Sequence, residues 1–182
     1  ELAALRELKA ENKVLREALA IGLEKEYELE LAEAINKDIS QDSLLVNRGE
    51  KDGILKGLPV ITETKTLLGR IGKVYDDFSE VVLISNPDSS FDGKISEKEI
   101  YGLVKGRGRW QISLDLIPKD EVVVKGDLIV TSALGGIFPK GILVGQVKEV
   151  KSSDLEAFQE AFLEPGFSGQ DLNYLFIIKG SK

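Results

Sequence analysis

The apolar positions at the start of the chain recur at alternating spacings of three and four residues. The set comprises Leu5, Leu8, Asn12, Leu15 and Leu19, which occupy heptad a and d positions. Most residues between them are Ala, Glu, Lys or Arg, which favour helix. A seam this narrow packs against one partner helix, so the pattern predicts a coiled-coil helix over residues 1–26 and a homodimer formed through it.

Asn12 is the polar member of this seam. A lone asparagine at an a position costs stability but pairs with its counterpart in a parallel two-stranded coil, which fixes register and oligomeric state. The segment shows fewer than three heptads, so a second interpretation stays open, in which a single amphipathic helix packs against its own β domain.

From Tyr27 onward the apolar pattern changes to a period of two. Leu29 and Leu31 alternate with Glu28 and Glu30, which indicates the change from helix to strand. Short apolar runs separated by glycine turns fill the rest of the chain. The expected strands lie at residues 28–37, 44–47, 58–62, 67–75, 80–85, 100–104, 110–116, 127–131, 142–150, 159–163 and 172–179.

Two stretches of this β region have a second copy further along the chain. Residues 56–62 resemble residues 125–131, an offset of 69, and residues 68–74 resemble residues 144–150, an offset of 76. The larger second offset means that the second copy carries seven additional residues, around 138–141. Two related β units are the simplest explanation.

The predicted fold is therefore mainly β, with a coiled-coil helix at residues 1–26 followed by two small antiparallel barrels related by an internal repeat. We expect the first β domain at 27–117 and the second at 118–182. Counting strands leaves the second barrel one short, and the strand at 28–37 is the candidate to complete it.

The chain contains no histidine and no cysteine among its 182 residues. Without these side chains there is no Ser-His-Asp triad, no thiol nucleophile, no disulfide and no histidine or thiolate ligand for zinc. No serine is followed by lysine at the Ser-x-x-Lys spacing either. We therefore expect a protein that is not an enzyme and that uses no cofactor.

A formal net charge of −7 opposes binding to nucleic acid unless the chain has a strongly basic local patch. The best candidate is residues 105–110, where Lys105, Arg107 and Arg109 alternate with glycine before Trp110. Glycine and exposed charge are common in turns, so a hairpin is the favoured interpretation and no nucleic-acid partner is expected.

Residues 88–99 match the spacing of a calcium-binding EF-hand loop. Asp88, Ser90 and Asp92 stand at loop positions one, three and five, and Glu99 stands at position twelve. An EF-hand also needs a helix before the loop, whereas the preceding run is β-branched and ends at Pro87. A polar loop between strands is favoured, and a calcium site is the alternative.

The additional residues of the second repeat carry Ile137 and Phe138, which are apolar in an expected connecting loop. Phe138 either fills the open end of its own barrel or, together with Ile137, contacts a partner or the neighbouring domain.

The chain resembles the MreC family, the rod shape-determining proteins of bacteria. The likeness is carried by residues 46–60, 68–71 and 84–90, and most specifically by residues 126–145, GDLIVTSALGGIFPKGILVG. It runs in register over nearly the whole chain, coiled coil included. Residues 91–94 depart from it, because they are more polar than the apolar strand expected there.

This resemblance implies a dimeric scaffold that organises the peptidoglycan elongation machinery and thereby determines cell shape. It also implies a barrel pair like that of trypsin-type proteases but without the catalytic residues. The implied partners are MreD, the actin-like MreB, RodA and the elongation-specific penicillin-binding transpeptidase. An inactive or unusual hydrolase on the same barrels is the alternative function, and a calcium-responsive adaptor is a further one.

The resemblance places the chain in a single-pass protein of the inner (cell) membrane, with this region on the extracytoplasmic or periplasmic side. The chain begins at Glu1 and contains no methionine. We therefore expect a piece of a longer protein whose membrane anchor lies upstream.

Overall fold

The computed structural model describes residues 2–20, 22–38, 40–169 and 172–182. Two helices, α1 (Leu2–Ala20) and α2 (Leu23–Glu26), come first, and a 3-10 turn, Glu50–Asp52, lies within the β region. Gly22 separates the helices with a φ of 74°, a left-handed angle that glycine adopts without steric cost. Glu1 and Ile21 fall within the predicted helix but lie outside the described residues.

The described part of the chain forms twelve strands. They are β1 (Tyr27–Asp38), β2 (Ser43–Val46), β3 (Pro59–Ile61), β4 (Leu67–Val74), β5 (Ser79–Leu83), β6 (Ser90–Ile95), β7 (Tyr101–Gly108), β8 (Gln111–Pro118), β9 (Leu128–Thr131), β10 (Leu143–Lys151), β11 (Phe158–Pro165) and β12 (Tyr174–Ser181). Barrel 1 closes in the order β1-β12-β3-β4-β5-β2, and barrel 2 closes in the order β10-β11-β8-β7-β6-β9. All neighbouring strands are antiparallel, which confirms the predicted pair of antiparallel barrels.

The two barrels exchange one strand with each other. The unit β1–β5 in barrel 1 corresponds strand for strand to β7–β11 in barrel 2, because both follow the same order around the closed sheet. The sixth strand comes from the other unit. β6 follows the first unit in the chain but closes barrel 2, and β12 follows the second unit but closes barrel 1.

The predicted domain boundary at residue 117 is therefore wrong. Strands β6, β7 and β8 belong to barrel 2, although they lie within the predicted first domain 27–117, and β12 belongs to barrel 1. The strand predicted at 28–37 does not complete the second barrel, since β1 pairs with β12 and β2. The missing strand of barrel 2 is β6, which the sequence pattern did not reveal.

The sequence pattern did not reveal β6 because the strand has only three inward positions, and the middle one is a glycine with no side chain. Phe91, Gly93 and Ile95 are buried and alternate with the half-buried Asp92 and Lys94. A Cβ at the glycine would lie 2.6 Å from Val104 Cγ2, so only glycine fits that inward position without a shift of its neighbours. The sequence of β6 is therefore polar enough to suggest a loop, although its burial alternates with the period of two that is typical of a strand.

The repeated glycines have the same structural role in both barrels. Gly69 on β4 pairs with Val60, and Gly145 on β10 pairs with Ile129. An added Cβ would lie 2.1 Å from the backbone oxygen of Val82 in barrel 1 and 2.3 Å from that of Glu164 in barrel 2. Each glycine permits a close approach to the next strand where the sheet bends, which supports the predicted repeat.

Candidate interaction surfaces

The predicted dimerisation seam is uncovered along α1. Leu5, Leu8 and Leu19 are 52%, 62% and 59% exposed, and Leu15 is 37% exposed. Asn12 is also exposed. A row of leucines exposed to this extent on one helix is unusual for a surface that stays in water. Leu8 also lines the cleft between α1 and barrel 1, and the exposed surface of the four leucines is available to a second helix.

A neighbouring face of α1 contacts barrel 1. Val14 packs against the hydrophobic core, and Ala18 is 5% exposed. Both residues precede the seam leucines Leu15 and Leu19 by one position, so they point away from the seam by about a quarter of a turn. The helix therefore packs on its own β domain, as the alternative interpretation expected, and still leaves the seam open.

The contact between α1 and barrel 1 is looser toward the start of the helix. A cleft of about 250 Å³ separates Glu7 and Glu11 on α1 from Glu33 and Tyr174 on the barrel. Burial, together with the negative charges of these three glutamates, raises the pKa of the Tyr174 hydroxyl above its ordinary value. Among the described side chains of α1, none forms a hydrogen bond or an ion pair with the barrel, so apolar contact near the end of the helix holds it.

Phe138 and Ile137 lie in the long connection between β9 and β10 and differ in burial. Phe138 is 7% exposed, and its ring meets that of Phe91 edge-on with centroids 4.9 Å apart. This contact favours the interpretation that Phe138 fills its own barrel. Ile137 is 39% exposed, and Leu134 in the same connection, which sequence reasoning did not select, is 72% exposed.

A cleft of about 620 Å³ lies between the barrels beside this connection. Its charged lining includes Lys65, which contacts Glu26 at 2.5 Å, and Lys94, which contacts Glu99 at 2.5 Å. The hydrogen bond from Lys94 is the main reason that the pKa of the Glu99 carboxyl lies below its ordinary value. Leu134 borders the cleft, so the surface combines matched charges with an exposed apolar side chain.

The four residues of the EF-hand-like pattern are not gathered around one point. Asp88 lies in the turn before β6, Ser90 and Asp92 lie on that strand, and Glu99 lies beyond its far end. The Glu99 carboxylate is bound to Lys94 and accepts a hydrogen bond from Tyr101 at 2.7 Å. In the part of the chain that the structure describes, no three Asp or Glu side chains are placed to hold a metal ion.

The basic stretch at residues 105–110 forms the predicted hairpin between β7 and β8. Lys105 contacts Asp115 at 3.0 Å, and Arg107 contacts both Asp115 and Glu160. Burial acts to raise the pKa of the Asp115 carboxyl, but hydrogen bonds from Ser113 and Lys105 and the charge of Arg107 outweigh it and lower that pKa. Two of the three cations of the stretch are therefore neutralised by carboxylates on the same face.

Comparison with protein families identifies the double barrel. The family model described as rod shape-determining protein MreC, barrel core, matches residues 34–179. The chain belongs to the MreC family. The resemblance seen in the sequence is thereby confirmed, and it covers both MreC barrels.

Curated MreC proteins resemble the chain over nearly its whole length. The cell shape-determining protein MreC of Haemophilus influenzae is 32% identical over 181 residues, and that of Listeria monocytogenes is 31% identical over 183 residues. These alignments cover 98% and 96% of this chain but 51% and 62% of the relatives. The chain thus spans between half and two thirds of the length of these MreC proteins.

Solved MreC structures share the fold. One has a TM-score of 0.87 at 25% identity, with 94% of this chain and 98% of that chain covered. MreC in a complex with the penicillin-binding protein PBP2 from Helicobacter pylori has a TM-score of 0.65 at 16% identity, with 84% of this chain and 100% of that chain covered. In the described MreC region, neither helix has the length and apolar character needed to cross a membrane.

Proposed function

We propose that this MreC region is a dimeric extracytoplasmic scaffold that organises peptidoglycan elongation enzymes and thereby determines cell shape. The match of the MreC barrel model to residues 34–179 is the observation that carries the proposal. The related MreC proteins are named for cell-shape determination. The location outside an inner-membrane anchor rests on the family resemblance.

The proposed partner with the most direct support is a penicillin-binding transpeptidase of the elongation machinery. MreC of Helicobacter pylori, which shares this fold, is described in a complex with the penicillin-binding protein PBP2. MreD, MreB and RodA are further proposed partners, and they rest on the family resemblance. Ile137 is an exposed apolar residue in the connection between β9 and β10 and is a proposed contact for one of them.

We propose dimerisation through the seam of Leu5, Leu8, Asn12, Leu15 and Leu19. The exposure of these leucines supports it, because a parallel partner helix would bury both a and d positions. The role is that of a scaffold rather than an enzyme, in keeping with a chain that lacks histidine and cysteine.

A complementation experiment with cell shape as the measured outcome tests the whole proposal. The chromosomal gene is depleted in the source bacterium, and full-length protein is supplied either unchanged or with Leu8→Lys and Leu15→Lys together. We expect the unchanged protein to restore rods and to capture the transpeptidase in a pull-down. The double variant is expected to leave cells round, because a lysine at each d position opposes burial of the seam.

Leu2→Lys is the matched control, since Leu2 is 68% exposed on α1 but lies outside the seam. It should restore rods as well as the unchanged protein does. Rod shape restored by the double variant to the same extent would contradict the role of the seam. Round cells with the unchanged protein would contradict the function itself.

A further inference from the structure

One buried carboxylate lies where the two barrels meet. Asp42, in the connection between β1 and β2, is 2% exposed. Its Oδ1 accepts hydrogen bonds from the Ser85 hydroxyl at 2.6 Å and from the Trp110 backbone N–H at 2.8 Å, and its Oδ2 accepts one from the Arg109 backbone N–H at 2.8 Å. Ser85 follows β5 of barrel 1, whereas Arg109 and Trp110 form the β7–β8 turn of barrel 2. We call these four residues the Asp42 junction.

Arg109 and Trp110 have backbone angles that the residues themselves do not favour. Their φ angles are 51° and 65°, in the left-handed region that residues with a Cβ rarely adopt. Two-residue hairpin turns with such angles usually contain Asn or Gly. Here both N–H groups converge on one carboxylate, and hydrogen bonds to an ionised acceptor are stronger than bonds to a neutral one. The turn of barrel 2 is thus held in shape by a side chain of barrel 1.

The same hairpin contacts the first stretch of chain that connects the barrels, residues 84–89. The Gly108 N–H donates a hydrogen bond to the backbone carbonyl oxygen of Ser85 at 2.8 Å. The Gly106 N–H donates one to the backbone carbonyl oxygen of Ser89 at 3.0 Å. A Cβ at Gly106 would lie 2.0 Å from the backbone oxygen of Asn86. The connection therefore lies directly against the hairpin.

Trp110 extends the contact to residues 166–169, at the start of the second connection. Its ring centroid lies 5.6 Å from that of Phe167, and a Cβ at Gly169 would lie 2.7 Å from the indole. The chain passes between the barrels through these two connections, and both lie beside one turn. A change in the turn would displace both of them.

A second contact between the barrels is made by backbone atoms. The Leu143 N–H donates to the Lys65 oxygen at 3.2 Å, and Thr66 forms an isolated bridge with Leu143. The barrels also share one hydrophobic core, and each further attachment between two bodies restricts the rotation that remains between them. The Asp42 junction adds an attachment beside the backbone hydrogen bonds of Gly106 and Gly108, and its central bonds depend on one side chain.

We propose that Asp42 is a positioning residue that fixes the angle between the two barrels. Its carboxylate holds the β7–β8 turn in the left-handed conformation and binds that turn to barrel 1. Loss of the carboxylate releases the turn and lets the barrels change orientation about the contact at Leu143. The proposal goes beyond the scaffold function, since it concerns the internal geometry of the chain and no partner.

Distances between the barrels test this proposal. The chain has no native cysteine, so cysteines introduced at the exposed Lys73 on β4 and Glu149 on β10 take spin labels at two known sites. Pulsed electron paramagnetic resonance on labelled chain diluted with unlabelled chain gives the distance within one chain. Asp42→Asn and Asp42→Ala are expected to broaden or shift this distance, and amide exchange at Arg109 and Trp110 should rise about tenfold or more.

Asp38→Ala is the matched control. Asp38 is the last residue of β1, next to the same connection, but its carboxylate accepts hydrogen bonds from Ser40 and Gln41, within barrel 1. The control should keep the parent distance and the parent exchange at the turn. A folded Asp42→Asn variant with an unchanged, narrow distance distribution would overturn the proposal, because the other contacts between the barrels would then fix the angle.

Ser85→Ala provides a milder change if both Asp42 variants fail to fold. It removes one hydrogen bond to the carboxylate and leaves the charge in place. Faster exchange at Trp110 with a broader distance would support the proposal. Parent values for both measurements would count against it.

Discussion

The two barrels share one strand order but are closed by strands of different character. In β12, which closes barrel 1, the four consecutive residues Leu175 to Ile178 are all buried, so the strand is covered on both faces. In β6, which closes barrel 2, burial alternates, and the middle inward position is Gly93. Barrel 1 is therefore closed by a bulky strand and barrel 2 by a slender one.

The difference explains why the second copy of the repeat is longer. A slender closing strand leaves interior volume in barrel 2, and protein interiors do not tolerate such voids. Phe138 comes from the long β9–β10 connection and packs edge-on against Phe91 of β6. The equivalent β3–β4 connection in barrel 1 is a short turn held by the hydroxyls of Thr62, Thr64 and Thr66. The inserted residues thus supply a side chain that the exchanged strand lacks.

The largest effect is expected from the closing strand of barrel 1. Phe176 on β12 is 3% exposed, and Phe176→Ala should lower the free energy of unfolding by about 4 kcal/mol through lost burial and a cavity. Urea denaturation followed by fluorescence measures it. Phe158→Ala is the control, because Phe158 is 48% exposed, and it should change stability by less than about 1 kcal/mol. Equal effects would mean that β12 is not the closing strand of a packed core.

Phe138 in barrel 2 is expected to contribute nearly as much to the free energy of unfolding as Phe176 does in barrel 1. Phe138→Ala should cost about 3 kcal/mol if the side chain fills the barrel, whereas Ile137→Ala should cost less than about 1 kcal/mol because Ile137 is 39% exposed. The same denaturation experiment compares them. A Phe138→Ala protein as stable as the parent that no longer captured the transpeptidase would instead make Phe138 a partner contact.

The repeated glycines should respond alike in the two barrels. Gly69→Ala and Gly145→Ala each place a Cβ against a backbone oxygen and should each cost about 1–3 kcal/mol. Gly180→Ala in β12 is the control, since the nearest atom to an added Cβ lies 3.8 Å away. Thermal unfolding of the three variants shows whether the two positions are equivalent. A large cost at one position alone would argue against the structural repeat.

The smallest effect concerns acid stability. The pKa of Asp115 is lower in the folded protein than in the unfolded chain, so its contribution is present above its ordinary pKa and is lost as pH falls through the folded value. Asp115→Asn should therefore reduce stability at neutral pH and flatten the loss of stability below about pH 4. Asp77→Asn is the control, because it alters a carboxylate that is 72% exposed, and it should change stability at neutral pH by less than about 1 kcal/mol. Parallel profiles for Asp115→Asn and the parent would contradict the assignment.

The sequence pattern predicted the strands whose apolar runs are continuous or clearly alternating. β12 was evident because Leu175 to Ile178 form an apolar run, and β4 and β10 were evident from alternation around Gly69 and Gly145. β6 was not predicted, because Gly93 has no side chain to mark the inward face and Asp92 and Lys94 suggest a loop. A test for a period of two that counted glycine as inward would have found it.

Exchange between the barrels could not be predicted from local pattern. Which barrel a strand closes depends on the fit of its inward side chains and on the path of the connection, and neither is local to the strand. The Asp42 junction was missed for the same reason. Asp42 reads as an ordinary turn residue, and its partners Arg109 and Trp110 lie 67 and 68 positions further along the chain.

The candidate surfaces also differ in whether a local sequence pattern could predict them. The leucine seam of α1 is a local pattern that the sequence alone predicted; its leucines are exposed, and dimerisation through them stays a prediction. The burial of Phe138 against Phe91 depends on the exchange of β6, so the sequence left its role open between filling the barrel and contacting a partner.

Sedimentation equilibrium of the chain with and without residues 1–26 tests the central claim, that the helix joins two copies of a double-barrel scaffold. The whole chain should have twice its monomer mass of 20.0 kDa, because a second α1 covers the exposed seam leucines. The shortened chain should be a folded monomer, since each barrel is closed by strands of the same chain. A dimer that persisted without residues 1–26, or a monomer with them, would contradict the account.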